Sequence, residues 1–452
     1  MFTSINPATG QPGQSFAELT DAQVDARLAK AHEAFLAWRE SGLDDRMTLL
    51  RHIAERFEDD KDRLARIATE EMGKTLKSAV AEVEKCASAF RYYARHGAQL
   101  LKSVEVDTPV GHAVARWLPM GPVLAVMPWN FPYWQVVRFA APAIMAGNVG
   151  LLKHASSVQG CAGALEETIL AAGAPEGLFQ NLAIKSAKVA DLIADDRIVA
   201  VTLTGSEGAG AKVAEAAGRA LKKVVLELGG SDPLVVMPSA DIALAAKTAV
   251  TARTQNTGQS CICAKRMIVH ADVYDDFLHA FSAGMKAVKI GDPMDPETEM
   301  GPLSSAEQRD TVLDQIAKFR DSGATLLFGG EKPDLPGAYL TPGVLVDVDP
   351  DSDVAKEEVF GPIAMVFKVE DIDEAITLAN DVPFGLGSSV WTNDDAEKER
   401  FARDIAAGMT AVNRMLSSTP EAPFGGVKRS GHGRELGPWG LHEFMNLKAV
   451  IG

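Results

Sequence analysis

From Ala22 to about Gln99 the apolar positions recur at helical spacing among many charges, as in LAKAHEAFLAWRE and MTLLRHIAERFEDD. That period predicts several amphipathic helices, each burying one stripe. Residues 104 to 118, VEVDTPVGHAVARWL, alternate with a strand-like period and contain a Pro-Val-Gly turn, which predicts a hairpin. The rhythm then changes again: VLAVM at 123, VGLLK at 149, LFQNLAI at 178, VAVTLTG at 199 and KVVLELGG at 223 are short apolar runs separated by helical stretches. Runs that are apolar on both faces suit a buried parallel sheet built from βαβ units. Such open sheets bind ligands beyond the carboxyl ends of their strands, so loops starting near Met127, Lys153, Gly205 and Glu227 are predicted to converge on one crevice. A second α/β segment follows in IVHADVYDDFLHAFSAGMKAV, GATLLFGG and AMVFKVEDIDEAITLAN, which predicts a separate lobe with its boundary near Gly230.

Composition narrows the picture. The chain has 452 residues, 46% hydrophobic and 23% charged, which is enough for two domains with real cores. Its net charge of −16 repels phosphate backbones, and no Lys/Arg-rich run offsets that field, so nucleic acid is excluded as a partner. The longest apolar run, residues 139 to 152, is broken by Pro142, Gly147 and Asn148, which argues against a membrane span. The first ten residues lack the basic-then-apolar pattern of a secretory leader. Four unevenly spaced cysteines (Cys86, Cys161, Cys261, Cys263) do not form a disulfide framework, so a reducing, cytoplasmic setting is expected. The nine histidines show no HxxxH pair and there is no CxxC, so no transition-metal site is expected.

The candidate chemistry starts at NTGQSCICAKR, where small and polar neighbours leave the Cys261 thiol accessible. A lone intracellular cysteine is more often a buried inert thiol, and on this segment alone both readings stand. Asn130 reads equally as a turn residue before an aromatic and a proline, and Glu227 as a solvated strand-end carboxylate. Gly229 and Gly230 after it would let backbone pass close to a ligand. TGSEGAG follows a strand and opens a helix, so its free N–H groups suit a pyrophosphate, or simply start a helix.

Taken together, MPWNFP (127–132), LTGSEGAG (203–210), LELGGSDP (226–233), GQSC (258–261), EEVFGP (357–362) and PFGGVKRSGHGRE (423–435) resemble the aldehyde dehydrogenase superfamily, in family order, and NPATG near the start is similar too. PYWQVVR, LLKHAS, QNTGQSC and GLHEF are similar to the short bacterial succinate-semialdehyde dehydrogenases within it. The resemblance implies an α/β fold: a Rossmann-type cofactor domain (1–103 and 123–229), an α/β catalytic domain (230–425) and a β-hairpin oligomerisation arm (104–122 with 438–452) forming a homodimer or homotetramer.

It further implies that Cys261 attacks a small aldehyde to give a thiohemiacetal, whose oxyanion meets the Asn130 side chain and the Cys261 N–H. Oxidation by NAD or NADP leaves a thioester, hydrolysed by water that Glu227 activates. A base at Glu227 favours hydrolysis over acyl transfer to coenzyme A, since relatives that acylate coenzyme A often lack it. The implied cofactor contacts are Met127, Pro128, Trp129, Lys153, Ser156, Gly205, Ser206, Gly210, Leu228, Gly229, Glu358 and Phe360. Many NAD-preferring relatives have KPSE where this chain has Lys153, His154, Ala155 and Ser156; the missing acid leaves room for a 2′-phosphate, and Lys185 and Lys188 stand where they could add positive charge.

For the substrate, Arg138 stands where relatives acting on succinate semialdehyde carry a carboxylate-binding Arg, with Trp134, Ser418, Thr419 and Phe424 as further contacts. A second Arg found in other semialdehyde dehydrogenases is replaced by Gln255, which lacks the bidentate fork, so other ω-semialdehydes or medium and aromatic aldehydes are alternative substrates. Cys263 is either a packed strand thiol or, as in some relatives with CxC, the partner of Cys261 in a reversible disulfide. A non-catalytic homologue would have lost Cys261, Glu227 or Asn130, and a thiol-disulfide oxidoreductase explains neither Asn130 nor Glu227.

Overall fold

The computed structural model describes all 452 residues. A polar hairpin, β1 (Phe2–Ile5) and β2 (Pro12–Phe16), precedes four helices: α1 (Asp21–Trp38), α2 (Leu43–Asp59), α3 (Lys61–Met72) and α4 (Leu76–Leu100). Thr20 starts α1 with a capping box, its Oγ1 accepting from Gln23 N and its N–H donating to Gln23 Oε1, so two otherwise orphaned donors are satisfied. The predicted hairpin is present as β3 (Val104–Thr108) and β4 (Gly111–Pro119), turning at Pro109 and Val110. The C-terminal strand Met445–Ile451 pairs antiparallel with β4, making a three-stranded sheet. Val104, Val106, Leu118, Leu447, Val450 and Ile451 are exposed on it.

The βα rhythm gives β5 (Pro122–Met127), α5 (Trp134–Ala146), β6 (Val149–His154), α6 (Gln159–Ala171), β7 (Phe179–Asn181), α7 (Val189–Ala194), β8 (Ala200–Thr204), α8 (Glu207–Arg219) and β9 (Lys223–Glu227). These five strands lie parallel in the order β9-β8-β5-β6-β7, and the short strand Gly431–His432 closes the β9 edge antiparallel. The chain leaves β5 toward β6 on one side and returns to β8 on the other, so the switch point of the sheet lies between β5 and β8. The interrupted run at 139–152 is buried here as the end of α5 and the start of β6. No helix is long and apolar enough to cross a membrane.

The second lobe begins with β10 (Pro233–Val236), α9 (Ile242–Thr254), β11 (Arg266–His270) and α10 (Tyr274–Ala287), and continues through β12 (Thr325–Phe328), β13 (Gly343–Val346) and β14 (Ile363–Val369). Its seven-stranded sheet runs β12-β13-β14-β11-β10 and then Gly387–Trp391 and Met409–Val412, parallel except for β12 against β13. One apolar cluster packs on each face of it, around Phe319 and Phe401 on one side and Phe277 and Phe281 on the other. The two sheets meet the crevice from opposite ends. The first sheet presents its strand ends there, whereas β10, β11 and β14 of the second begin there, just after Gly229, Cys261 and Phe360.

Candidate active site

The segment between α9 and β11 carries Cys261 and has an unusual backbone. Asn256, Thr257 and Gly258 follow one another in the left-handed region, at φ of 51°, 58° and 73°. Each non-glycine residue held there costs roughly 1–3 kcal/mol and persists only where its surroundings enforce it. Enforcement is visible at every residue. Buried Arg253 donates to the carbonyls of Gly258 (3.2 Å), Val359 (3.1 Å) and Gly361; Asn256 Nδ2 donates to Asn130 O (2.8 Å) and Gln259 O (3.1 Å); Thr257 Oγ1 donates to Gly301 O (3.1 Å). A Cβ at Gly258 would lie 2.4 Å from the Gly361 carbonyl, so only glycine fits. Beyond it, buried Lys265 donates to Ser260 O (2.9 Å) and Cys261 O (2.6 Å) and reaches Glu358 Oε1 at 3.2 Å.

Cys261 itself is partly exposed, and its N–H has no acceptor within the protein. Burial pushes its thiol up to about 12, against the pull of Arg138 and Lys265. Buried Asn130 sits beside it after β5, with Nδ2 donating to Gln259 O (3.1 Å) and Oδ1 accepting from Gln135 Nε2 (3.4 Å). The second hydrogen of that Nδ2 is unused by any protein acceptor.

Two cavities share Cys261 and Gln135 as wall. The first, about 300 Å³, is lined by Pro128, Trp129 and Asn130 after β5, Thr204 at the end of β8 with Gly205 and Ser206 after it, Leu228 and Gly229 after β9, and by Gln308, Glu358 and Phe360. The loops after β5, β8 and β9 meet here as expected at the strand ends, whereas the loop after Lys153 does not reach this cavity. Ser206 caps α8, and the N–H groups of Glu207 and Gly208 behind it have no intrahelical partner, which fits a phosphate. A Cβ at Gly229 would lie 2.5 Å from Glu358 Oε2, so that wall is bare backbone. The site therefore suits a dinucleotide.

Several expected cofactor contacts lie off this cavity. Met127 is buried, and Gly210 is tucked under Leu228, where a Cβ would meet Leu228 Cδ2 at 2.6 Å. Lys153 and exposed Ser156 lie farther out at the end of β6, Lys153 donating to Ser186 Oγ (3.0 Å). Lys185 and Lys188 form surface ion pairs with Glu18 (3.3 Å) and Asp21 (2.6 Å).

The second cavity, about 170 Å³, lies on the other side of Cys261. Trp134, Arg138, Gln255, Ser418 and Phe424 line it as expected; Thr419 is exposed outside it, and its neighbour Ser417 takes the wall position. Gln255 Nε2 is buried without an acceptor. Arg138 does line the cavity, yet its guanidinium is engaged. It lies over the Phe424 ring (4.1 Å), donates to Thr204 Oγ1 (3.3 Å), and its Nε is 2.6 Å from Glu435 Oε2, an ion contact whose N–H is not aimed at the oxygen. Ser78, Ala81, Glu82 and Lys85 of α4 complete the wall and were not foreseen, because an amphipathic helix among charges reads as scaffold. Glu82 serves the fold itself. Its Oε1 accepts from Tyr133 N (2.8 Å) and Trp134 N (2.9 Å), capping α5 in place of a local side chain, while it pairs with buried Lys74.

Glu227 lines neither cavity. Its carboxyl is buried without a hydrogen-bond partner against Gly425, where a Cβ would lie 2.6 Å from Oε1. Burial first, and then the neighbouring Glu435, push it well above the usual carboxylate range, while Arg138 and Arg434 pull it down. Cys263 is in a turn before β11, not a strand, fully buried with Sγ 3.7 Å from Gln255 O. A more voluminous cleft, about 780 Å³ between the N-terminal hairpin, α3 and α6, holds neither Cys261 nor Glu227.

The profile of the aldehyde dehydrogenase family matches residues 1–450. A succinate-semialdehyde dehydrogenase [NADP(+)] of Mycobacterium avium is 53% identical over 451 residues, covering 99% of this chain and 96% of that protein. A second from Mycobacterium tuberculosis is 51% identical over 450 residues, covering 99% and 98%. Among solved structures, a succinic semialdehyde dehydrogenase from Streptococcus pyogenes in complex with NADP+ superposes with a TM-score of 0.98 at 40% identity, covering 100% of this chain and 99% of that one.

Proposed function

Because this chain belongs to the aldehyde dehydrogenase family, we propose that it oxidises succinate semialdehyde to succinate with NADP, and with NAD as a second acceptor. The observation that carries this reading is Cys261 standing in the wall between two cavities, one floored by strand-end backbone and a helix N-terminus, the other by charged and amide side chains. A nicotinamide cofactor in the first cavity supplies the two-electron oxidation. Ser206, Gly205, Gly229 and Leu228 would hold it, Glu358 and Phe360 would border its ribose, and Lys153 with Ser156 would meet its far end. Neutral, exposed Ser156 supports acceptance of a 2′-phosphate, as do NADP-named relatives at about half identity.

The chemistry follows from these donors. Cys261 gives its proton to solvent water, and its sulfur adds to the aldehyde carbon. The oxygen, now negative, meets the free N–H of Cys261 and the spare hydrogen of Asn130 Nδ2, both fixed before substrate arrives. Loss of the aldehyde hydrogen with its electron pair leaves a thioester on Cys261. Glu227 then takes a proton from water, which cleaves the thioester and returns the thiol; to do so its carboxyl turns from the Gly425 side toward Cys261.

The acid end of the aldehyde would lie in the second cavity, near Gln255, Ser418 and the cations of α4 and α5. Residues 1–103 with 123–229 form the cofactor domain in this reading, residues 230–425 the catalytic domain, and 104–122 with 438–452 an arm whose exposed apolar side chains pair with another copy in a dimer or tetramer. Four free cysteines support a reducing, cytoplasmic setting. Assaying succinate semialdehyde, glutarate semialdehyde, butanal and benzaldehyde with NADP and NAD in parallel tests the whole reading. The highest kcat/KM is expected for succinate semialdehyde with NADP. A neutral aldehyde as best substrate, or a thousandfold preference for NAD, about 4 kcal/mol, would overturn it.

A further inference from the structure

Three charged side chains reach the aldehyde cavity, and only one lacks a counter-ion. Glu82 is spent on the α5 cap and on Lys74. Arg138 faces Glu435 at 2.6 Å, and is held there by Thr204 and Phe424. Lys85 has no carboxylate within ion-pair distance; its Nζ sits 4.5 Å from the Trp134 ring and donates to Ser418 Oγ at 2.9 Å. Lys85 is thus the one cation on this wall with no carboxylate within ion-pair distance. Lys85 is half-buried, and a cation partly withdrawn from water without an anion is less stable than one to which a ligand brings an anion. Close by, Gln255 Nε2 is a buried donor with no acceptor.

From this geometry we infer that Lys85, not Arg138, supplies the free charge that receives the carboxylate of the aldehyde substrate, with Gln255 Nε2 as its second donor. The inference rests on the proposed substrate and deepens it. Ser78, Glu82 and Lys85 share the face of α4 turned to the cavity, so the cation is fixed on a 25-residue helix rather than on a loop. Trp134 steadies the ammonium from below without neutralising it.

Lys85 also makes the preference pH-dependent. Burial first, then Arg138 nearby, push its ammonium down to about 8. The other groups facing it are Glu82 and Cys86 on its own helix, Lys74 before that helix, Arg138 with Glu435 behind it on the α5 side, and Cys261 across the cavity. As pH rises through about 8 the charge is lost, and with it the advantage of a carboxylate-bearing aldehyde over a neutral one.

The test is the ratio of kcat/KM for succinate semialdehyde to that for butanal, which cancels the chemistry common to both. In the unaltered enzyme the ratio should be high near neutrality and fall above pH 8. Lys85→Met should lower it at least about tenfold, the loss of a charged hydrogen bond, and abolish its pH dependence. A Lys85→Met enzyme that keeps the ratio overturns the role of Lys85 while leaving the substrate reading intact. A parent enzyme with no preference for the acid aldehyde overturns both.

Discussion

The two cavities that meet at Cys261 are built by opposite means. The cofactor side is made largely of backbone: a proline-flanked turn after β5, the capped start of α8, and Leu228 with Gly229 after β9, all at strand ends of one sheet, with Gln308, Glu358 and Phe360 closing it from the second lobe. The aldehyde side is made of long side chains from α4, α5, the Cys261 segment and the loop around Ser418. Backbone donors bind a phosphate whatever the neighbouring side chains are, whereas a side-chain wall changes its preference with a single substitution. The chain thus keeps its oxidant and its aldehyde under separate control.

Removing the shared wall is the severest test of that division. Cys261→Ala should abolish oxidation of every aldehyde, by roughly 10⁴-fold or more, while NADP binding followed by fluorescence persists; lost cofactor affinity would show that the cavities are not separable. Next in size is Glu227→Gln, expected to lower kcat by roughly 10²–10⁴-fold and to leave a burst of one NADPH per subunit in stopped-flow traces, since acylation precedes the step it blocks. Because Glu227 is raised well above the usual carboxylate range and acts as a base only when ionised, kcat of the parent should climb with pH, and the climb should vanish in the variant.

Gly229→Ala probes the backbone wall alone. Its methyl would meet Glu358 Oε2 at 2.5 Å; overpacking of about 1–3 kcal/mol should raise KM for NADP about tenfold with little change in the aldehyde ratio. The smallest effect is expected at the rim. Ser156→Glu puts an exposed carboxylate where a 2′-phosphate would lie, and about 1 kcal/mol of repulsion should shift the NADP to NAD ratio roughly fivefold toward NAD. An unmoved ratio would place the 2′-phosphate elsewhere.

The same contrast decides what is legible in the sequence. PWN, TGS and LGG are local turn signals at strand ends, so the cofactor crevice follows from spacing and strand rhythm. The aldehyde wall draws on residues 78–85, 134–138, 255–262 and 416–424, and nothing in sequence marks Lys85 apart from the solvated lysines of a surface helix. Arg138 is legible as a cavity residue, but its partner Glu435 lies nearly three hundred positions away. Strands flanked by buried runs are foreseeable; β1 and β2 are not, since their exposed PGQSF lacks any apolar alternation. Asn256 and Gly258 are residues that tolerate the left-handed region, whereas Thr257 between them is not, so that turn is hidden by its middle residue.

That turn also sets when the positioning of the nucleophile is done. The three left-handed residues and their clasp of Arg253, Asn256 and Lys265 side chains are assembled as the chain folds. The ordering of the Cys261 segment therefore draws on the stability of the whole fold, once in the lifetime of the molecule, and does not recur as a barrier in each turnover.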